Sequence, residues 1–131
     1  MKINRGREAN TQSEDRTDGA TFTGTVWADL GLAGVPGVTI NDVFFGPGGR
    51  TYWHHHENGQ VLLIERGRGR VQTRDGEGAW VEAGDVVFFN PGEEHWHGAT
   101  GDTYLLHRAI SLGETVWLDE VDESDYQAVV G

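Results

Sequence analysis

Gly48-Gly49-Arg50-Thr51-Tyr52-Trp53-His54-His55-His56-Glu57-Asn58-Gly59-Gln60-Val61-Leu62-Leu63-Ile64-Glu65-Arg66-Gly67 is the stretch that decides the fold. Glycines bound it at both ends and split it at Gly59. Between them lie two runs too short for helices and rich in aromatic and branched residues, which is how strands read. Arg50 to His56 is expected as one strand, and the apolar run Gln60 to Glu65 as a buried one. Side chains alternate along a strand, so His54 and His56 share a face and His55 points away. Neutral imidazole is a common ligand for transition metals, so two imidazoles on one face make half of a metal cage.

The pattern continues outward on both sides. Val38 to Phe45 reads as a strand closed by the turn Gly46-Pro47-Gly48-Gly49. Arg70 to Arg74 and Ala79 to Glu82 read as a hairpin around Asp75-Gly76-Glu77-Gly78. Val86 to Phe89 reads as a buried strand stopped by Asn90-Pro91-Gly92. Glu94 to Gly98, Thr103 to Ile110 and Thr115 to Leu118 complete the series, and Asp122 to Val130 is expected as a short helix. Many short strands between turns point to an all-β sandwich or barrel. Residues 1–20 are polar and aperiodic; they are expected as a mobile arm ending in a strand that docks on a partner chain. Residues 21–131 read as one domain. His95 and His97 again share a strand face, and His107 alternates with Leu105 and Ala109 toward the inside.

Composition removes several classes of chemistry. At 131 residues a single domain is expected. The 20 glycines are about twice the usual share, which suits many tight turns. No cysteine is present, so disulfides, thiolate nucleophiles and iron–sulfur clusters are excluded. The single lysine, Lys2, is terminal and ill placed for a Schiff base. None of Ser13, Ser111 and Ser124 lies in a nucleophile elbow, and no phosphate-binding glycine loop occurs. A net charge of −11 disfavours nucleic acid. No apolar run is long enough to span a bilayer, and no secretory signal is visible, so a cytoplasmic protein is expected.

The spacing Gly48-x5-His54-x-His56-x3-Gln60-x6-Gly67 resembles the first motif of the cupins, and Gly84-x5-Asn90-Pro91-Gly92-x2-His95 resembles the second. The resemblance covers roughly residues 35–112. It implies a cupin double-stranded β-helix, a small jelly-roll barrel. It also implies a metal site made by His54, His56, Gln60 and His95, carrying one divalent transition metal. Manganese is the first choice, with zinc, iron and nickel also compatible with such ligands. The local text Arg50 to His54, Gly59-Gln60 and Pro91 to Ala99 is similar to a group of short bacterial cupins. That group includes manganese-dependent hydroxynitrile lyases, which also carry glutamine at this ligand position; small cupin polyketide cyclases are a further similar group. Three positions depart from the general cupin pattern: Gln60 replaces a glutamate, Asn90 a proline and Ala99 an asparagine. The first matters chemically, because a neutral amide leaves the ion more positive, a stronger Lewis acid but more weakly held.

His97 and His107 are the candidates to move a proton, since imidazole titrates near neutral pH. The expected function is a metal-dependent C–C lyase of the hydroxynitrile type, acting on a small carbonyl or hydroxy compound. The alternatives are a polyketide cyclase, an iron dioxygenase and a non-catalytic small-molecule-binding cupin. Phe44, Trp53, Phe88, Trp96 and Tyr104 are candidates to line the cavity. Arg50 is expected in a surface salt bridge or on an anionic substrate, and Arg66, Arg68 and Arg70 on a solvated strand face. Small cupins of this kind commonly pair, so the resemblance also implies a homodimer.

Overall fold

The computed structural model describes residues 1–7 and 11–129. Among these, twelve strands precede one helix: β1 Glu14–Asp15, β2 Phe22–Thr23, β3 Val26–Val35, β4 Val38–Phe45, β5 Arg50–Thr51, β6 His54–His56, β7 Gln60–Thr73, β8 Gly78–Glu82, β9 Val86–Phe89, β10 His95–Ala99, β11 Leu105–Leu112, β12 Thr115–Trp117 and α1 Glu123–Ala128. The strands pair antiparallel in the order β1-β3-β4-β11-β7-β10-β5-β2, with β6, β8, β9 and β12 attached at the sides. This is the expected all-β jelly-roll barrel with a short C-terminal helix. No helix among the described residues is long and apolar enough to cross a membrane.

β7 joins the two halves. Its first part pairs with β11 and β9, and its second with β10 and β8. Gln60 to Glu65 and Arg70 to Arg74, expected as separate strands, are therefore parts of one strand, apart from Arg74. β7 passes from one sheet to the other around Gly67, and just before it the register against β11 shifts, skipping Glu65. Gly67 has φ +80°, and a Cβ there would lie 1.9 Å from the Tyr104 carbonyl oxygen. Only glycine meets both conditions.

The inner face carries Val26, Phe45, Leu62 and Leu105, each with no exposed surface, together with Val43, Ile64, Phe89 and Ala109. Burial alternates along β4, β7 and β11, as strands covered on one face require. A second cluster lies outside the barrel: Trp53, Trp96, Val121, Tyr126 and Val129. It forms where α1 folds back on the sheet, and the Tyr126 hydroxyl donates to the Ala99 carbonyl at 2.6 Å. Val130, the expected last helical residue, lies outside the described residues.

Other expectations are corrected here. Arg50 to His56 is not one strand: Tyr52 and Trp53 separate β5 from β6, as their amides turn to the carbonyls of Thr21 and Asp119. β9 is only partly buried, because it is an edge strand; Val86 and Phe88 are 66% and 55% exposed. Arg50 makes a salt bridge as expected, to the exposed Glu123 at 3.5 Å, but is itself buried rather than on the surface; its guanidinium donates to the Val121 carbonyl and stacks 4.4 Å from the Tyr126 ring centroid. Arg66 and Arg68 are exposed as expected, whereas Arg70 is half-buried over the same tyrosine. The arm docks on its own chain: β1 pairs with β3, and Arg7 holds Asp29 at 2.8 Å. Residues 8–10 of that arm lie outside the described residues.

Candidate metal centre

The inward alternation that builds the core also brings histidines into it. His54 and His56 of β6 and His95 and His97 of β10 face the barrel interior, and β11 adds His107; all five are buried. Pairing of His95 with His54 across the β10–β6 ladder sets the two rings 4.3 Å apart. His55, on the other face, is half-exposed.

Each ring is held by its outer nitrogen. His54 Nδ1 meets the Tyr52 carbonyl at 2.9 Å, and His95 Nδ1 meets the Glu93 carbonyl at 2.7 Å. A carbonyl only accepts, so both Nδ1 atoms carry the proton and both Nε2 atoms present lone pairs. His56 Nδ1 bonds the Thr115 hydroxyl, and its Nε2 is buried without a partner. Such outer bonds orient imidazoles for a metal.

Gln60, at the start of β7, completes the set. Its Nε2 donates to the Ser111 hydroxyl at 3.1 Å, and its Oε1 stands 2.9 Å from His95 Nε2. Once His95 holds its proton on Nδ1, these last two atoms are both acceptors. In this orientation of the amide the two lone pairs face each other, an arrangement that a cation between them satisfies. The donor set therefore fits a divalent metal ion, and four neutral ligands leave its charge undiminished. The ligating atoms of His54, His95 and His97 lie within 4.8 Å of one another; His56, expected as a ligand, is not in that cluster, although its ring centroid stands 5.0 Å from that of His54.

His97 and His107 form a pair. His97 Nδ1 and His107 Nε2 are 2.9 Å apart, and His97 Nε2 is buried without a partner. His97 reaches the cavity wall, and His107 sits behind it. Burial holds all five imidazoles in the neutral form: His56 and His107 are pushed down to about 4, His95 to about 3, and His54 and His97 well below the usual histidine range.

A cavity of about 140 Å³ opens beside these groups. A volume of this size admits a benzene-sized body. Its apolar wall comes from Phe22, Val43, Phe45 and Trp117, and its polar wall includes Asn41 and Ser111. None of Phe44, Trp53, Phe88, Trp96 and Tyr104 lines it: Trp53 and Trp96 belong to the outer cluster, while Phe44, Phe88 and Tyr104 lie on outward-facing positions. Sequence reasoning missed Ser111 and Arg16 in this wall. Continuing the alternation His107-Ala109-Ser111 would have found the serine; no local signal marks the arginine.

The cupin-domain family model matches residues 41–107. The chain is 38% identical over 127 residues to an (R)-mandelonitrile lyase of Granulicella tundricola, covering 92% of this chain and 97% of that one. It superposes on a cupin-like protein of Thermotoga maritima with a TM-score of 0.85 and 36% identity, over 95% of this chain and 99% of that chain. It shares its fold with a polyketide cyclase of Streptomyces resistomycificus, at a TM-score of 0.74 and 16% identity, over 96% of this chain and 92% of that one.

Proposed function

The chain belongs to the cupin family, and from that premise we propose that it is a metal-dependent lyase of the hydroxynitrile class. In this reading His54, His56, Gln60 and His95 hold one divalent ion, manganese first among the candidates. Bound there, the ion supplies Lewis-acid polarisation of a substrate oxygen. The substrate is a small cyanohydrin whose apolar body fills the cavity.

His97 is the group that moves the proton. The observation that carries the reading is its unpartnered, buried Nε2 beside His54 and His95 in the wall of a cavity of aryl size. Nε2 takes the hydroxyl proton, the C–C bond breaks with its electron pair leaving on the cyanide carbon, and the carbonyl forms. The imidazolium then returns the proton to cyanide. His107 is a positioning residue: in this reading its Nε2 accepts from His97 Nδ1–H, which leaves the lone pair on His97 Nε2 for the substrate proton.

Elemental analysis of untagged protein, beside a His54→Ala/His56→Ala double variant, tests the metal. Cleavage of (R)-mandelonitrile, followed by benzaldehyde absorbance, tests the reaction. About one manganese, zinc or nickel per chain, lost in the variant together with cleavage, is the expected result. Iron at that level with oxygen uptake would replace the lyase by a dioxygenase. No metal after reloading would leave a binding protein.

The same proposal includes a homodimer. Val86 and Phe88 are exposed on the outward face of the sheet that carries β4, β7 and β11, an apolar surface suited to a second copy. Light scattering on the eluted protein should give twice the chain mass; the mass of one chain would remove the dimer.

A further inference from the structure

We propose that Arg16 makes this cavity selective for a substrate bearing a carboxylate. The inference rests on the reading that this cavity is the substrate site, and it names the substrate's second functional group.

The chain carries −11 overall, yet the cavity wall holds no aspartate or glutamate. Its one formally charged side chain is Arg16. An acidic protein has thus kept every carboxylate out of this one space and placed a permanent cation in it. The side chain is 40% exposed and pairs with Glu14, so part of that charge is screened; what remains acts on a ligand inside the cavity at closer range than on one in bulk solvent.

Arg16 is also incompletely satisfied. One Nη atom pairs with Glu14 at 3.0 Å, on the exposed side. The Nε–H is shut off from solvent and has no acceptor. Burying such a donor without a partner is costly, and a ligand oxygen removes that cost. The guanidinium carbon lies 6.0 Å from the Phe22 ring centroid, beside the apolar wall.

Arg16 sits just after β1, and its backbone amide bonds the Val26 carbonyl of β3 at 2.8 Å. The arm is therefore part of the site: docking β1 on β3 carries the cation to the cavity. The ligand class that fits is a small cyanohydrin whose apolar body also carries a carboxylate, or the carbonyl acid it releases on cleavage, with a 2-hydroxy acid as the unreactive analogue. Its carboxylate meets Arg16, and its hydroxyl or carbonyl oxygen faces the histidines.

Calorimetric titration with mandelate and with its neutral amide, mandelamide, tests this. The two share body and hydroxyl and differ in charge. The titrations use metal-free and metal-loaded protein, with metal content measured on each sample. Metal-free wild type should bind mandelate about tenfold or more tighter than mandelamide, the scale of one charge-assisted contact. Arg16→Gln should bring the ratio to near one, and Arg16→Lys should keep part of the preference. Arg16 is half-exposed, and matched thermal melts confirm that the variants fold. A ratio near one in metal-free wild type, or a ratio unchanged in Arg16→Gln, overturns the proposal. Failure to take up metal would instead count against the metal reading and leave the metal-free comparison to decide on Arg16.

Discussion

Gln60 has two chemically different ends on one amide, and Ser111 tethers the one that is turned away from the histidines. With Nε2 held by the Ser111 hydroxyl, Oε1 is turned toward His95. Ser111→Ala frees the amide to rotate, so metal affinity should fall roughly tenfold, the lower end for loss of an orienting partner. Chelator competition reads this directly, and Ser111→Thr should restore most of it. Unchanged affinity in the alanine variant would show that the amide needs no such hold. His97→Gln should lower kcat by about 10²–10⁴-fold while metal content stays at wild-type level. Loss of metal in that variant would make His97 a ligand instead. These side chains differ in how legible they are in sequence. The pairs His54/His56 and His95/His97 announce themselves because a spacing of two on a strand fixes a common face. Arg16 could not be found so: its position depends on β1 docking across β3, a contact between polar segments with no periodicity. Arg50 misleads for the same reason, since its burial depends on where the C-terminal segment returns.

Among the elements, β7 shows what glycine does when the backbone leaves no alternative. The sequence around Gly67 looks like a gap between two strands, because glycine usually punctuates. Here it is the hinge inside one strand, and both sheets depend on it. Gly67→Ala would need a left-handed residue and would drive a methyl into the Tyr104 carbonyl. The cost should be about 2–5 kcal/mol, from strain and overpacking together. Denaturant titration should show a lower midpoint; a loss under about 0.5 kcal/mol, the scale of an ordinary surface change, would mean that the hinge relaxes freely. α1 has a different origin. Asp122 caps it by accepting from the Asp125 amide, and Tyr126 anchors it through the bond to Ala99. Tyr126→Phe leaves that buried carbonyl without its donor and should cost about 1–3 kcal/mol, read by the same titration.

At the scale of the whole molecule, the barrel's interior and its acid stability are one problem. Five histidines are buried and neutral when folded, whereas an unfolded chain protonates each near 6.5. Their folded values lie below the unfolded one, so the unfolded state binds more protons as pH falls. Stability is therefore fully present above about 6.5 and is lost progressively as pH drops from there toward about 4, where His56 and His107 titrate in the fold. Within that window each histidine contributes a slope of about 1.4 kcal/mol per pH unit. His56, His95 and His107 alone then sum to roughly 4 kcal/mol per unit, against a net stability of about 5–15 kcal/mol for a domain of this kind. Two opposing effects are smaller. Approaching the isoelectric point near 4.8 relieves repulsion among the excess carboxylates, but moderate salt already screens most of it. The aspartates held low by their hydrogen bonds, Asp29 and Asp119 among them, lose their contribution only at lower pH. Metal-free protein in 0.15 M salt should thus show a Tm that falls steeply between pH 6.5 and 5. Saturating metal binds only the neutral imidazoles of the folded state, so it should move that collapse to lower pH. A Tm that stays level down to pH 5 without metal would mean that the histidines accept protons inside the fold, and the tautomer argument for the site would fall with it.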